Sequence, residues 1–182
     1  MFETPKKIKE KKYKVVDKLT GYVKKITLKF FKTEKGKTEV YFVDNHKDSV
    51  QIFAMDIDEK VILVDQFRPA KEKIVCELPG GTLEKNESIY QAAERELEEE
   101  TGYKVGKLFY VGEQDYSVGS SGKKYFFIAI GCFKNGVGQR LDDLERINVR
   151  LETVDAFREL LRNQKIFGAD LGYLGLDKLK LL

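Results

Sequence analysis

The sequence predicts an α+β domain, on two observations. Before residue 79 and again after residue 106, short runs of β-branched and aromatic residues end at turn-forming residues, which is typical of β-strands. Between these regions, and again near the C-terminus, apolar residues recur with the period of a helix. We therefore expect a strand-rich domain with one central helix and a C-terminal helical portion.

The predicted strands are short and lie close together. In KKITLKFF, the apolar residues Ile26, Leu28 and Phe30 alternate with polar ones, as in a strand with one buried face. DIDE, residues 56–59, has the composition of a hairpin turn between two strands. The other predicted strands are TEVYFV (38–43), VQIFAM (50–55), KVILVDQF (60–67), KIVCEL (73–78), KLFYVGE (107–113) and KYFFIAIGCF (124–133).

The central helix is predicted to start at Ile89, where the helical apolar spacing begins. Asn86 or Ser88 can cap its N-terminus, and Gln91 completes a capping-box spacing from Ser88. Gly102 is a suitable C-terminal stop. Two C-terminal stripes follow: Val154, Phe157, Leu160 and Leu161 in one, and Leu171, Leu174, Leu179 and Leu182 in the other.

Composition and charge indicate a folded protein and argue against one that binds polyanions. The chain has 182 residues, of which 42% are hydrophobic and 35% charged, so a packed globule is expected. The formal net charge of +3 is too small to indicate a polyanion-binding surface, and nucleic acid is not an expected partner. Although lysines cluster from Lys6 to Lys14, we expect this segment to be a solvated tail or a fraying first element.

The sequence also indicates where the protein acts. Cys76 and Cys132 lie in apolar runs, which predicts buried, inert thiols in a reducing compartment. No apolar run suited to a signal peptide follows the basic N-terminus, and no stretch approaches a membrane span. We therefore expect a cytoplasmic protein without a membrane partner.

An acidic cluster stands at the end of the central helix. ERELEEETG, residues 94–102, places five glutamates in seven positions, where like charges repel and the helix dipole disfavours acids. Helical geometry brings Glu96, Glu99 and Glu100 onto one stripe. An acidic helix face is most often solvated surface. A bound cation such as Mg²⁺, which prefers oxygen ligands, would instead offset the repulsion.

The residues around the cluster favour the cation. Arg95 lies four residues before Glu99 and eight after Glu87, so it can pair with either and orient the carboxylates. Gly80 and Gly81 let the backbone approach closely and leave a carbonyl as a further oxygen ligand. The sequence therefore predicts an open metal site beside a glycine turn.

The same segment resembles a known family. From Gly81 the chain reads GTLEKNESIYQAAERELEEETGY, which resembles the Nudix box, G-x5-E-x7-R-E-U-x-E-E-x-G-U with U aliphatic. Tyr103 departs from the pattern at the last position. This departure changes packing after the helix and touches no ligand. The matching residues are Gly81, Glu87, Arg95, Glu96, Leu97, Glu99, Glu100 and Gly102.

The resemblance implies both a fold and a chemistry. The fold is a Nudix-type α/β/α sandwich with a mixed β-sheet and a catalytic loop-helix-loop. The chemistry is Mg²⁺-dependent hydrolysis, with Mn²⁺ as an alternative ion, of a nucleoside diphosphate linked to another moiety. The implied metal ligands are Gly80, Glu96, Glu99 and Glu100, and the implied catalytic residues are Glu99, Arg95, Glu87 and Glu145.

Flanking segments narrow the implied substrate. VILVDQFRPAKEKIVCELPGG is similar to the approach to the box in ADP-ribose pyrophosphatases and related nucleotide-sugar hydrolases. Arg68 matches an arginine near the substrate phosphates or sugar, and Glu77 a glutamate that contacts metal or substrate. The alternatives are a surface arginine that pairs with an acid and an ordinary strand-edge acid. In QDYSVGSSGKKYFF, Ser117, Gly119 and Ser121 match a substrate-binding loop. Val118 replaces a proline of that loop, and Lys123 replaces an acid.

A second acidic segment supplies the expected general base. RLDDLERINVR resembles the acidic loop and following strand of that subgroup, in which a glutamate can act as general base. Asp142, Asp143 and Glu145 are the possible residues here, and Glu145 is favoured because it keeps the spacing to the strand. The only histidine, His46, lies in a polar turn and is expected to be a surface residue.

The resemblance implies the following function and organisation. Residues 1–48 form a β-rich extension that serves dimerisation, and residues 49–182 form the Nudix hydrolase domain of a homodimer. The expected reaction is hydrolysis of ADP-ribose or a related nucleotide sugar to a nucleoside monophosphate and a sugar phosphate. The alternatives are another Nudix substrate (GDP-mannose, NADH, a dinucleoside polyphosphate or an RNA 5′ end) and a non-catalytic nucleotide- or RNA-binding protein.

Overall fold

The chain folds into two units. The computed structural model describes residues 5–16, 18, 23–141 and 145–182. The first unit comprises Met1–Asp48 and Gln114–Lys123, and the second comprises Ser49–Glu113 and Lys124–Leu182. The segment Gln114–Lys123 joins the N-terminal residues through the main chain of Asp44: its N–H donates to the Gly119 carbonyl at 2.9 Å, and its carbonyl accepts from the Ser121 N–H at 3.0 Å.

The first unit contains an antiparallel sheet in the order β1-β2-β3, formed by β1 (Lys6–Val16), β2 (Val23–Lys32) and β3 (Thr38–Asp44). Of the two expectations for the lysine-rich segment, the solvated tail is wrong and the first element is correct, since the segment is strand β1. Every residue of β1 is exposed, so the strand has no buried face. Main-chain pairing with β2, from Lys6 opposite Lys32 to Val16 opposite Val23, holds the strand instead.

The second unit is built on a mixed sheet. Its strands are β4 (Ser49–Asp56), β5 (Val61–Arg68), β6 (Lys73–Glu77), β7 (Tyr103–Lys104), β8 (Lys107–Asp115), β9 (Lys123–Lys134) and β10 (Ile147–Glu152). These described strands have the order β10-β5-β4-β9-β7, with β6 paired to β5 and β8 to β9, and β4 runs parallel to β9.

The predicted DIDE turn joins β4 to β5. Asp56 Oδ1 accepts the N–H groups of Asp58 and Lys60 there, at 3.0 and 2.9 Å.

The described residues form three α-helices, α1 (Ile89–Thr101), α2 (Val154–Arg162) and α3 (Ala169–Lys178). Of the two predicted caps for α1, Ser88 is the one used. The Gln91 N–H donates to Ser88 Oγ at 3.2 Å, and the Ser88 N–H donates to Gln91 Oε1 at 3.0 Å, which is the predicted capping box. At the other end, Gly102 is left-handed with φ of 72°, as predicted for the stop.

The helices cover both faces of the mixed sheet, which confirms the α/β/α fold. Alternate residues of β4 pack to opposite sides, with Ile52 toward Ala93 and Leu97 of α1 and Phe53 toward the C-terminal helices. Two residues of the second predicted stripe, Leu179 and Leu182, lie beyond the helix; Leu179 still packs against the core, whereas Leu182 is 67% exposed. Helix α3 has already ended at Lys178.

Both cysteines are free and buried, as predicted. Burial raises the pKa of the Cys76 thiol to about 12 and that of the Cys132 thiol to about 11, so neither is a nucleophile at neutral pH. Among the described residues, no helix has the length and apolar character that a membrane span requires.

We predict that Ser88→Ala lowers the free energy of unfolding of the second unit by about 1 kcal/mol, because the N–H groups at the start of α1 lose an acceptor. Urea denaturation measures this loss. Ser88→Thr keeps the hydroxyl and is the control, with a midpoint close to that of the unmodified protein. Equal midpoints for the Ala and Thr variants would show that the capping box contributes no stability.

Candidate active site

Arg95 lies at the centre of the acidic cluster on helix α1. Its guanidinium donates twice to Glu87, from Nε to Oε1 at 2.7 Å and from Nη2 to Oε2 at 3.0 Å. Nη1 donates to Glu96 Oε1 and Glu99 Oε2, both at 3.0 Å. Nη2 also donates to the Thr82 carbonyl at 3.2 Å. Both partners that the spacing allows for Arg95 are therefore bound at once. We call Arg95, Glu87, Glu96 and Glu99 the Arg95 network.

Within the Arg95 network, Arg95 and Glu87 stabilise each other's charge. The hydrogen bond from Arg95 lowers the pKa of the Glu87 carboxyl, and the same bond raises the pKa of the guanidinium. Both groups stay ionised near neutral pH. A charge-assisted bidentate pair also fixes the orientation of the guanidinium. Glu87 therefore holds Arg95 in the orientation in which it contacts Glu96 and Glu99.

The carboxylate of Glu96 is packed against the glycine turn. A Cβ atom at Gly81 would lie 2.4 Å from Glu96 Cδ and from both carboxylate oxygens, so any side chain there would displace the carboxylate. Burial raises the pKa of the Glu96 carboxyl, and the charges of Glu99 and Glu145 raise it further, although Arg95 opposes them. The absence of a side chain at Gly81 thus leaves room for the Glu96 carboxylate beside the glycine turn.

Glu100 is the most enclosed acid of the cluster, with 6% of its surface exposed. Its Oε2 accepts the Gly80 N–H at 2.9 Å. Burial raises the pKa of this carboxyl to about 8, the charges of Glu96 and Glu145 add to the rise, and Arg68 opposes it. Gly80 itself has φ of 153°, and a Cβ there would lie 2.3 Å from the Val50 carbonyl oxygen.

The charge of Glu145 acts on the acidic cluster, since it raises the pKa of both Glu96 and Glu100. Glu145 also lines a surface cavity of about 630 Å³ together with residues of β5, β6 and β10. The other two acids considered for the base, Asp142 and Asp143, lie outside the described residues. The role of Glu145 as general base stays a prediction.

Arg68 and Glu77 bind each other. Arg68 Nε donates to Glu77 Oε1 at 2.6 Å and Nη2 to Oε2 at 2.7 Å. The Glu77 side chain is 8% exposed and that of Arg68 is 43% exposed, so the acid is enclosed and the guanidinium is accessible. The positive charge of Arg68 lowers the pKa of the Glu100 carboxyl and so opposes the effect of burial. Substrate binding by either residue stays a prediction, and the ion pair itself is the alternative that the sequence left open.

Ser117 and Gly119 belong to the first unit, in a loop beside the end of β3. The Ser117 N–H donates to Ser120 Oγ at 3.0 Å, and the Gly119 carbonyl accepts from Asp44. His46 is a surface residue in the same unit, as expected, and stacks on Tyr116 with ring centroids 4.3 Å apart. A role of this loop in substrate binding is a prediction from the resemblance.

Two contacts of the cluster were not predicted. The Thr82 carbonyl holds Arg95, and the Gln139 side-chain amide donates to the main-chain carbonyl of Glu100 at 2.6 Å. Every residue has a main-chain carbonyl, so the sequence does not show which one accepts a hydrogen bond. The NGVG segment at 135–138 signals a tight turn, but it does not show which element the turn contacts.

Comparison with known proteins identifies the family. The NUDIX domain matches residues 45–167. The chain belongs to the Nudix hydrolase family. This Nudix hydrolase is 31% identical over 139 residues to "ADP-ribose pyrophosphatase" from Bacillus subtilis (strain 168), with 76% of this chain and 75% of that protein covered. It is 28% identical over 163 residues to "Methanol dehydrogenase activator" from Bacillus methanolicus, with 89% and 88% covered.

A solved structure shares the fold. The crystal structure of an ADP compounds hydrolase superposes with a TM-score of 0.78 at 18% identity, covering 100% of this chain and 99% of that one. The identities and the fold together confirm the ADP-ribose pyrophosphatase-like family that the Nudix box and the ELPGG segment predict.

Nudix hydrolases use divalent metal ions, and the donor chemistry of the cluster fits such an ion. Its side-chain donors are carboxylate oxygens, the ligand type of hard cations. Glu96 and Glu100 also have raised pKa values, so a nearby cation would favour their ionised form. Within the described ranges, no three acidic, histidine or cysteine side chains converge as a metal cage, and Arg95 Nη1 lies between the Glu96 and Glu99 carboxylates.

We predict that the metal-free protein loses stability as the pH rises from about 4.5 to about 8. In this window the unfolded Glu100 carboxyl, with its ordinary pKa of 4.5, has lost its proton, whereas the folded one, with a pKa of about 8, retains it. The folded state therefore binds more protons, and its stability is greatest below the unfolded pKa. Urea unfolding in a chelating buffer across this range measures the slope.

Glu100→Gln is the matched variant for the pH experiment, because it keeps the side-chain shape and removes the titration. Its stability should depend less on pH than that of the unmodified protein between the same two limits. An equal slope in both proteins would assign the effect to another group.

Proposed function

We propose that this Nudix hydrolase cleaves the pyrophosphate bond of a nucleoside diphosphate-linked sugar, with ADP-ribose as the main substrate. The products are a nucleoside monophosphate and a sugar phosphate. The observation that carries the proposal is the Arg95 network beside the buried Glu100, since it concentrates hard oxygen donors at one end of a rigid helix. The relative named ADP-ribose pyrophosphatase supports the substrate class.

Mg²⁺ is the proposed cofactor, and Mn²⁺ its substitute. Glu96, Glu99 and Glu100 would hold the ion through their carboxylates, and Gly80 through its carbonyl. When bound, the ion neutralises charge on the pyrophosphate and makes bound water more acidic.

The proposed general base is Glu145, and Arg95 and Glu87 orient the carboxylate of Glu99. Glu145 accepts the proton of the attacking water, whose oxygen forms the new bond to phosphorus while the bond to the bridging oxygen breaks. Arg95 and Glu87 hold the carboxylate of Glu99, which acts both as a ligand and in catalysis. These roles are supported by the distances within the Arg95 network and by the electrostatic influence of Glu145 on Glu100.

Arg68 is the proposed contact of the substrate phosphates or sugar. The Arg68 side chain is partly exposed, and Glu77 holds its guanidinium through two hydrogen bonds. The positive charge of Arg68 also acts on the carboxyl of Glu100 in the candidate site. A bidentate partner reduces the freedom of the arginine before substrate binds. Glu77 therefore acts on the substrate through Arg68 in this proposal.

The proposed partner is a small molecule in the cytoplasm, and neither a membrane nor a nucleic acid takes part. The two free thiols support a reducing compartment, because both are buried and unpaired with one another. A net charge of +3 supports a small anionic substrate over a polyanion.

We predict that the protein releases nucleoside monophosphate from ADP-ribose only when Mg²⁺ is present. A phosphate-coupled assay measures this release. ADP-ribose should react faster than GDP-mannose, NADH, a dinucleoside polyphosphate or a capped RNA. Glu99→Gln and Glu100→Gln should each lower kcat by roughly 100-fold or more, since each removes a charged ligand. A faster reaction with another compound of the panel would replace ADP-ribose as the substrate.

Glu94→Gln is the control for these variants. It removes one negative charge from the same helix at an exposed position outside the Arg95 network, so its kcat should stay within about twofold. Near-normal activity in both Glu99→Gln and Glu100→Gln would contradict the ligand assignment. Circular dichroism and unfolding midpoints confirm that each variant is folded.

We also propose that the first unit forms a homodimer through one face of its sheet. The register of β1, β2 and β3 puts apolar side chains on a common face, and several are exposed in the single chain: Tyr13, Val15, Val40 and Phe42. Phe42 is the most exposed of them at 71%. An apolar face of this kind is typical of a protein interface.

We predict a mass of twice the 21.0 kDa chain by light scattering at micromolar concentration. Phe42→Lys should shift the protein to a monomer, because it buries an unpaired charge in the interface. Tyr41→Lys is the control, since Tyr41 is also exposed but points to the opposite face of β3. A monomeric mass for the unmodified protein would exclude the dimer.

A further inference from the structure

The C-terminal end of helix α1 is closed by residues 135–140, which we call the collar. The last carbonyls of a helix have no partner within the helix. Here the Arg140 N–H donates to the Glu99 carbonyl at 2.9 Å, and the Asn135 N–H donates to the Gly102 carbonyl at 2.9 Å. The Gln139 side chain donates to the Glu100 carbonyl at 2.6 Å. The collar therefore holds the main chain of two acids of the candidate site.

Asn135 shapes the collar. Its Oδ1 accepts the N–H groups of Val137 and Gly138, both at 2.8 Å, and its Nδ2 donates to the Gly138 carbonyl at 3.1 Å and to Glu98 Oε1 at 3.2 Å. These bonds fold the turn back onto the end of α1. Gln139 follows directly, so the direction of its side chain depends on this turn.

Gln139 also reaches a second element. The same Nε2 that donates to the Glu100 carbonyl donates to the Ile147 carbonyl at 3.2 Å. A side-chain amide carries two N–H donors, and one is available for each carbonyl. Ile147 is the first residue of β10 and follows Glu145 by two positions. One amide group thus joins the helix that carries Glu100 to the strand that follows Glu145.

We propose that Gln139 is a positioning residue for the hydrolysis, because it sets the distance between Glu145 and the acids at the end of α1. This inference rests on the proposed function. General-base catalysis needs its proton acceptor within hydrogen-bond reach of the water, and small displacements of a catalytic group are costly in rate. β10 lies at the edge of the mixed sheet and pairs with β5 on one side, so the Gln139 bridge adds a tie from its helix side.

Gln139 is exposed, and its side chain fills no core space. Because its amide also satisfies two main-chain carbonyls, loss of the donors lowers stability as well as removing the bridge. A variant that keeps the length of the side chain and loses both donors leaves packing unchanged. Its unfolding midpoint measures the lost stability, and the comparison of kcat with KM measures the loss of positioning.

The test uses Gln139→Met, which has a similar length and no donor. We expect kcat for ADP-ribose to fall roughly tenfold while KM stays within about twofold, because the substrate contacts are unchanged and only the base is displaced. Gln139→Lys restores a donor at the same place and should recover at least half of the lost kcat. A Gln139→Met variant with kcat within twofold of the unmodified protein would overturn the inference.

A double-mutant cycle asks whether Gln139 acts through Glu145. In a Glu145→Gln background, Gln139→Met should change kcat by less than about twofold, because the group it positions is already lost. A further tenfold loss in that background would overturn the inference, and so would normal activity of Glu145→Gln alone. If the unmodified protein hydrolyses no compound of the panel, the proposed function fails and this role of Gln139 fails with it. An active enzyme that is insensitive to Gln139→Met counts against Gln139 alone.

Discussion

The arrangement of the site depends on one guanidinium that holds three carboxylates. Glu96 and Glu99 are three residues apart on one helix face, and without a cation between them their charges would repel. Arg95 Nη1 contacts both at 3.0 Å, while the rest of the guanidinium is fixed by Glu87 in the preceding loop. The same residue thus offsets part of the negative charge of the cluster and attaches the loop to the helix. An acidic helix end that looks unfavourable in the sequence is compatible with folding for this reason.

The glycine turn is the second requirement, and it acts through space rather than charge. Gly81 leaves room for the Glu96 carboxylate, and Gly80 allows the main chain to pass close to Val50 of β4 and to present its N–H to Glu100. The Val50 N–H donates to the Gly81 carbonyl at 2.8 Å, which ties the turn to the mixed sheet. Helix, turn and sheet are therefore joined at the acids themselves. A site with this support on three elements keeps its geometry better than one carried by a loop.

Much of this arrangement follows from the sequence, and the exceptions have physical causes. The capping box of α1, the stop at Gly102 and the two ion pairs of Arg95 depend on residues close in sequence, so spacing is sufficient to predict them. Strand β1 was missed because both of its faces are exposed, so its lysine-rich sequence carries no signal of burial, although it pairs with β2 through the main chain. The contact between Gln139 and the Glu100 carbonyl joins residues 39 positions apart through a main-chain acceptor, which no local pattern records.

The balance of charge in the site identifies the acid that a cation would affect most. Glu87 and Glu99 are paired with Arg95, and Glu96 shares the same guanidinium. Glu100 has a different environment. The opposite charge that acts on it comes from Arg68, which is already bound by both oxygens of Glu77, and its direct partner is the neutral Gly80 N–H. Burial is the main cause of its raised pKa, and the charges of Glu96 and Glu145 add to the rise. A divalent ion beside this carboxylate would favour its ionised form, so metal binding and the ionisation of Glu100 are coupled. Because the carboxyl of the metal-free protein keeps its proton below a pH of about 8, metal binding at neutral pH would release that proton, and the affinity for the metal would fall as the pH falls.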